Sequence, residues 1–334
     1  MFKFFKDKSI SNLSPKVLVV DPLVHSNYSK QYEHYNFLYD ELCKVCNCLL
    51  YKKKNFSDIF EILNYAKKRN FFPEVIYFGM GWFALNEENY KRDLKNDGNI
   101  PLVGFLYKAQ NYLNTKLNFL KKNNFNLIVT PLPACEEYKL QTGIECKLLA
   151  KAGDSKIFFD RKEKKIYDIG FSGALHDNHI YENGSFKTFN IRSRAQDLLN
   201  SEKGVKAFLN GSDDIKKRIP SYIEYAKKIS QSQMWIATPG PYEEIVERYY
   251  EICMSKTLLF SSEIHPTYKN IFIDGHNCII FKNDLSDFLE RFYFCIENKE
   301  LIENIIINAY KEFTNNHSYK SRASQLKKFF KELI

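Results

Sequence analysis

No run of about 18 uncharged apolar residues occurs in this 334-residue chain, so no membrane-spanning helix is expected. The opening residues, MFKFFKDK, lack an apolar stretch before the next charge, so a secretory leader is not expected and a cytoplasmic protein is. Low-complexity tracts and repeats of fixed period are missing, and with them disordered and solenoid architectures. Eight cysteines are present, but Cys43-Lys-Val-Cys46-Asn-Cys48 has neither a second CxxC nor a paired His motif to complete four ligands. The sequence therefore reads as reduced, packed thiols with no metal, half a zinc site being the alternative. The basic residues fall in short groups, Lys52 to Lys54, Lys121 and Lys122, Arg161 to Lys165 and Lys216 to Arg218, without a nucleic-acid module signature, so no nucleic-acid partner is expected.

What is present is apolar and aromatic. Hydrophobic residues make up 44% of the chain, with 28 Phe and 22 Tyr, enough for folded cores. The length favours two domains of roughly 150 residues each. A net charge of +9 favours an anionic partner such as a nucleotide, a phosphorylated lipid carrier or an acidic membrane surface.

Short β-branched runs alternate with segments of helical spacing. Strands are expected at Lys16–Asp21, Glu74–Phe78, Pro101–Tyr107, Asn126–Thr130 and Cys146–Leu149. Helices are expected at Ser29–Val45, Phe56–Lys68 and Lys108–Asn123. The charged segment Asp160–Lys165 reads as a linker, after which the alternation restarts. Strands follow at Asp168–Phe171, Val205–Leu209, Met234–Ala237, Thr257–Phe260 and Cys278–Phe281. The intervening helices are Ile191–Asn200, Tyr222–Ser230 and Tyr242–Ser255, with two more at Leu285–Phe313 and Ser318–Leu333. This is the pattern of an α/β protein with two doubly wound, Rossmann-like domains, 1–160 and 161–316, facing across a cleft, plus a terminal helix at 317–334. Ligands are expected at the carboxyl ends of the strands.

One stretch raises a chemical question. In RYYEICMSKTLLF, Arg248 to Phe260, an acid precedes a strongly apolar run. Ile245, Val246, Tyr249, Ile252 and Cys253 form a core stripe on the helix drawn from Tyr242, and Glu243, Glu247 and Glu251 share its other side. Those acids are either a solvated face, with Glu251 paired to Arg248, or ligand-binding groups.

The spacing of Glu243 and Glu251 and the segment YEICMSKTLLF resemble the paired-acid motif of GT-B glycosyltransferases of group 1. Further similar segments are YDIGFSG (Tyr167 to Gly173), NIRSRAQDLL (Asn190 to Leu199), YIEYAKKISQSQMWIATPG (Tyr222 to Gly240), DGHNCIIFKN (Asp274 to Asn283) and NNHSYKSRA (Asn315 to Ala323). Their order is similar to the CgeB-like branch of that family. The C-terminal half carries this likeness; the N-terminal half shares only the rhythm of strands and helices. Two departures stand out: Lys256 occupies the usual Gly between helix and strand, and the N-terminal half has no glycine-rich loop.

The resemblance implies a GT-B fold and a metal-independent, nucleotide-sugar-dependent glycosyltransferase without a cofactor, acting on a cell-surface glycan or a lipid-linked acceptor. No Asp-x-Asp cluster contradicts this. Glu251 takes the place of the acid that holds the donor ribose. Gly173, Thr238 and Gly240 would bring backbone to the donor, and Glu243 would face its sugar hydroxyls. A diphosphate needs cations, and Arg192, Arg194, Lys228, Arg248 and Lys256 are those near the expected strand ends. Arg248, anchored by Tyr249, is the first choice, with a surface ion pair as its alternative. In the loop after the first strand, Asp21 to Asn27, the resemblance places the general base. His25 is the candidate, with His34 and Asp21 as alternatives. The terminal helix has one apolar and one basic face, which suits either a helix that packs on the first domain or one lying on an anionic membrane at the inner surface. A sugar-nucleotide epimerase and a catalytically silent binding protein remain as rival functions.

Overall fold

The computed structural model describes residues 14–26, 33–175, 178–182, 185–219 and 221–334. The opening MFKFFKDK and residues 27–32, where the first helix was expected to begin, lie outside them. The chain divides into two compact units, Met1–Leu149 with Tyr319–Ile334, and Ala150–Ser318.

The first unit is a parallel sheet of six strands: β1 (Lys16–Val20), β2 (Asn47–Tyr51), β3 (Val75–Phe78), β4 (Leu102–Phe105), β5 (Leu127–Thr130) and β6 (Glu145–Leu148). Their spatial order is β2-β1-β3-β4-β5-β6. Every residue of β3, β4 and β5 is buried, as required of a parallel sheet covered on both faces. The helices are α1 (Glu33–Val45), α2 (Ile59–Lys67), α3 (Leu113–Lys122) and α4 (Cys135–Thr142). Two of these elements, β2 and α4, escaped the sequence reading. In α4 only Tyr138 and Thr142 are buried, so no stripe marks it. Helix α3 starts five residues later than expected. Lys108 and Tyr112 are in the left-handed region (φ 51° and 61°), which ends any helix N-terminal to Leu113.

The second unit holds a parallel sheet of five strands, β7 (Tyr167–Gly173), β10 (Ala207–Gly211), β11 (Ser232–Ala237), β12 (Leu258–Ser262) and β13 (Ile279–Phe281), in the order β10-β7-β11-β12-β13. A separate antiparallel hairpin joins β8 (Asn178–Glu182) to β9 (Ser185–Phe189). The helices are α5 (Ile191–Ser201), α6 (Tyr222–Ser230), α7 (Glu247–Met254), α8 (Phe288–Glu297) and α9 (Lys299–Asn316). Ile169, Phe171, Met234, Ile236, Leu258, Phe260 and Phe281 from the strands pack with Ile191, Ala195, Phe288 and Ile305 from the helices. The single helix expected over Leu285–Phe313 is broken at Asn298 (φ −102°, ψ 51°), whose backbone N–H and side-chain amide both donate to the Phe294 carbonyl and close α8.

The last helix, α10 (Tyr319–Lys331), belongs to the first unit. It packs along α1, with Phe37 and Tyr319 ring centroids 5.6 Å apart, and Phe330 reaches Tyr77 of β3 at 5.5 Å.

Candidate functional site

Both sheets place their second strand outside their first, so chain connections leave in opposite directions between the first and third strands. In the second unit that point lies between the carboxyl ends of β7 and β11, where ligands of doubly wound sheets bind. Strand β7 ends at Gly173 with φ +132°, and a Cβ there would stand 2.7 Å from the Arg248 guanidinium. The glycine is thus what lets that cation lie flat on the strand end. Arg248 Nε donates to the Tyr225 hydroxyl at 2.9 Å. Arg192 lies beside it: its Nε donates to Thr238 Oγ1 at 2.7 Å and its Nη1 to the Ala174 carbonyl at 3.2 Å. Burial, followed by the neighbouring charge of Arg248, pushes the Arg192 pKa down to about 10. Two guanidinium groups held in mutual repulsion at a strand-end crevice make a site for an anion.

Glu251 is not on a solvated face. It is buried at 8% exposure, and no hydrogen bond to its carboxylate occurs among the described residues. Burial, with help from Glu247 and Asp154 and against the pull of Arg248, raises its pKa to about 8. The helix expected from Tyr242 begins only at Glu247, because Tyr242 and Glu243 both take left-handed φ (57° and 56°) and the Gly240 N–H closes a turn onto the Glu244 carbonyl at 2.8 Å. Glu243 therefore sits on the turn after β11, and Glu251 on the helix. The remaining acids turn inward: Lys151, itself buried, pairs with Glu247 at 2.9 Å and Glu244 at 3.4 Å. Sequence reasoning missed Lys151, whose partners lie more than 90 residues away with no periodic signal to connect them. It removes the repulsion that those acids would exert on a diphosphate.

Residues 192–328 match the family described as glycosyl transferase-like. No curated protein matches the chain. Among solved structures, the Anabaena protein HepE in complex with UDP and glucose superposes with a TM-score of 0.59 at 10% identity, over 95% of this chain and 100% of that one. Sucrose-phosphate synthase from Thermosynechococcus elongatus gives 0.60 at 11% identity over 96% and 99%. The DNA-modifying enzyme β-glucosyltransferase gives 0.58 at 11% identity over 95% and 99%. The chain has the two-domain fold of the GT-B glycosyltransferases. The match is to the glycosyl transferase-like family at large and does not single out the CgeB-like branch.

Within this fold, the other cations expected at the donor are dispersed. Arg194 is exposed and donates to the Asp284 carbonyl at 3.1 Å, beyond the end of β13. Lys228 lies over the rings of Tyr167 and Phe208, at the amino-terminal end of β7 and near that of β10. Lys256, with φ 52° in the left-handed position that usually holds Gly, precedes β12 and sits 3.7 Å from both Asp160 and Glu303. The structure brings Gly173, Arg192, Thr238, Arg248 and Glu251 to one end of the sheet and leaves Lys228 and Lys256 at the other. Tyr249 is fully buried, and its hydroxyl accepts from Ser261 at 2.9 Å, so it anchors α7.

In the first unit, His25 follows β1 with φ 47° and is exposed. Its Nε2 lies 3.0 Å from Asp40 Oδ1 of α1, its N–H donates to Asn36 at 2.7 Å, and Lys52 donates to its carbonyl at 2.7 Å. A proton on Nε2, directed at Asp40, leaves Nδ1 as an acceptor, which is the arrangement of an oriented base. Asp21 is buried and accepts from Leu23 at 3.0 Å and Gly81 at 2.8 Å, so it ties the β1 and β3 loops together.

Proposed function

We propose that the protein transfers a sugar from a nucleotide-sugar donor to a cell-surface glycan or glycoconjugate, without a metal or a cofactor, and that it belongs to the CgeB-like branch. The observation that carries this reading is the half-buried pair Arg192 and Arg248 against Gly173, with the buried Glu251 on the adjacent helix. The guanidinium pair holds the diphosphate and stabilises it as it leaves, taking the part a divalent cation plays elsewhere. Glu251 receives the ribose hydroxyls, and Glu243, on the turn after β11, faces the sugar. UDP is the nucleotide to try first, since HepE was solved with UDP and glucose.

In the first unit, which takes the acceptor on this reading, His25 draws the proton from the attacking hydroxyl while Asp40 steadies the imidazolium that forms. No described helix is long and apolar enough to cross a membrane. The protein works in the cytoplasm, with at most weak electrostatic contact between the lysines of α10 and an anionic inner-membrane surface, and without nucleic acid.

The test is calorimetric titration with UDP and UDP-glucose. Arg248→Ala should weaken UDP by about 1.5–3 kcal/mol, the worth of a hydrogen bond to a charged group. His25→Ala should leave UDP binding intact and lower turnover by roughly 10² to 10⁴. No heat from any nucleoside diphosphate, or an unchanged affinity in Arg248→Ala, would sink the donor assignment.

A further inference from the structure

If the first unit takes the acceptor, as the reading above has it, the nature of that acceptor should be written at the carboxyl edge of its sheet. A cavity of about 190 Å³ opens there, lined by Leu23 after β1, Lys54 after β2, Leu85, Asn86 and Asn89 after β3, and Lys108 after β4. With the order β2-β1-β3-β4, it stands over the switch point of the sheet, the counterpart of the arginine site in the second unit. Drug-sized ligands occupy roughly 300–1,000 Å³, so a cavity of this size suits one monosaccharide-sized group.

Its chemistry is one-sided. Two half-buried lysines and two carboxamides line it, and among the described residues no carboxylate does. The walls are also fixed in place. Lys116, fully buried, donates from Nζ to the carbonyls of Tyr107 at 2.8 Å and Lys108 at 2.9 Å, holding Lys108 in its left-handed conformation (φ 51°). The Tyr90 hydroxyl donates to the carbonyls of Trp82 at 3.1 Å and Leu85 at 3.0 Å, and Asn89 donates to the Asn86 carbonyl at 3.1 Å. A buried lysine amine, its pKa pushed down to about 7 by burial and by the charge of Lys108, beneath a second lysine in a left-handed conformation is costly unless the geometry it enforces is used. The loop that contributes Leu23 to the cavity also carries His25, the candidate base, two residues on.

We infer that this cavity is the acceptor subsite and that it selects a sugar bearing a negative charge, as a carboxylate or a phosphate, with Lys54 and Lys108 binding the anion and Asn86 and Asn89 the ring hydroxyls. Neutral glycans forgo the two charge-assisted contacts and are discriminated against.

The test uses the full chain saturated with UDP and follows binding of methyl β-D-glucuronoside, glucose 6-phosphate and the neutral methyl β-D-glucoside by ligand-observed NMR. The charged sugars should bind at least about tenfold more tightly than the neutral one. The paired substitution Lys54→Gln with Lys108→Gln should erase that preference while UDP binding stays unchanged. Relative affinities of the glucuronoside and the phosphate identify which anion the site prefers. Equal binding of charged and neutral sugars, or a preference that survives both substitutions, overturns the inference. If the double variant does not fold, the wild-type comparison with Lys54→Gln alone decides. UDP titration of the same samples separates the two readings: no UDP binding defeats the proposed function and the acceptor site with it, whereas UDP binding without charge preference defeats the acceptor site only.

Discussion

At the scale of single residues, Glu251 is where burial and function pull against each other. An acid whose folded pKa lies near 8, against 4.5 unperturbed, keeps a proton that the unfolded chain has released. Stability therefore falls as pH rises between those values, with a slope of up to about 1.4 kcal/mol per pH unit, and levels off above the folded pKa. Below the unperturbed value both states are protonated and the penalty vanishes. Glu251→Gln keeps the shape and removes the titration, so its melting temperature should exceed that of the wild type near pH 8.5 and converge with it near pH 5. Parallel melting curves for the two proteins from pH 5 to 9 would show that Glu251 ionises as an exposed carboxylate does. A buried acid with no hydrogen-bond partner among the described residues is retained at a cost, which accords with the ligand-binding role proposed for it.

At the scale of elements, strands were legible where burial on both faces made them continuous apolar runs. β1, β3, β4 and β5 carry that mark almost throughout, β11 and β12 over Met234–Ala237 and Leu258–Phe260, and β7 only at Ile169 and Phe171. Edge strand β2, with Asn47 exposed and Cys48, Leu49 and Leu50 only half-buried, does not. Helix starts were the least legible, because they are fixed by residues in left-handed conformations that need not be glycine: Lys108 and Tyr112 before α3, Tyr242 and Glu243 before α7. That same feature hid the site. A continuous helix from Tyr242 would have put Glu243, Glu247 and Glu251 on one wet face, whereas the broken one sends Glu244 and Glu247 to Lys151 and buries Glu251. Glycine pairs were legible as turns, but not their purpose. Gly79 and Gly81 after β3 face the Asp21 carboxyl, and a Cβ on Gly81 would fall 1.9 Å from Asp21 Oδ1. Gly81→Ala should therefore separate the β1 and β3 loops and destabilise the fold by about 1–3 kcal/mol or more, read as a lower urea midpoint. An unchanged midpoint would mean that the loops shift freely, and that Asp21 does not fix the position of His25.

At the scale of the molecule, the two units repeat one plan, with strand order second-first-third-fourth-fifth in each. Each puts its polar chemistry at the same topological place: Arg192 and Arg248 in one, Lys54 and Lys108 in the other. The chain's last helix returns to the first unit, and its composition alone left two fates open, packing or lying on a membrane. Its apolar face is spent: Ala323, Leu326 and Phe330 are fully buried, as Leu42 of α1 is nearly so. What remains outside are Lys320, Lys328 and Lys331, which can meet an anionic surface only through charge. Burying Leu326 and Phe330 contributes about 1.5–3 kcal/mol each, a large share of the roughly 5–15 kcal/mol that holds a domain folded. Removing residues 317–334 uncovers these partners on α1 and β3, so the truncated protein should melt well below the full chain and bind a hydrophobic dye. Co-sedimentation with anionic vesicles, run on both forms, gives the opposing outcome: equal melting temperatures with vesicle binding lost only on truncation would assign the helix to the membrane and leave the first unit stable without it.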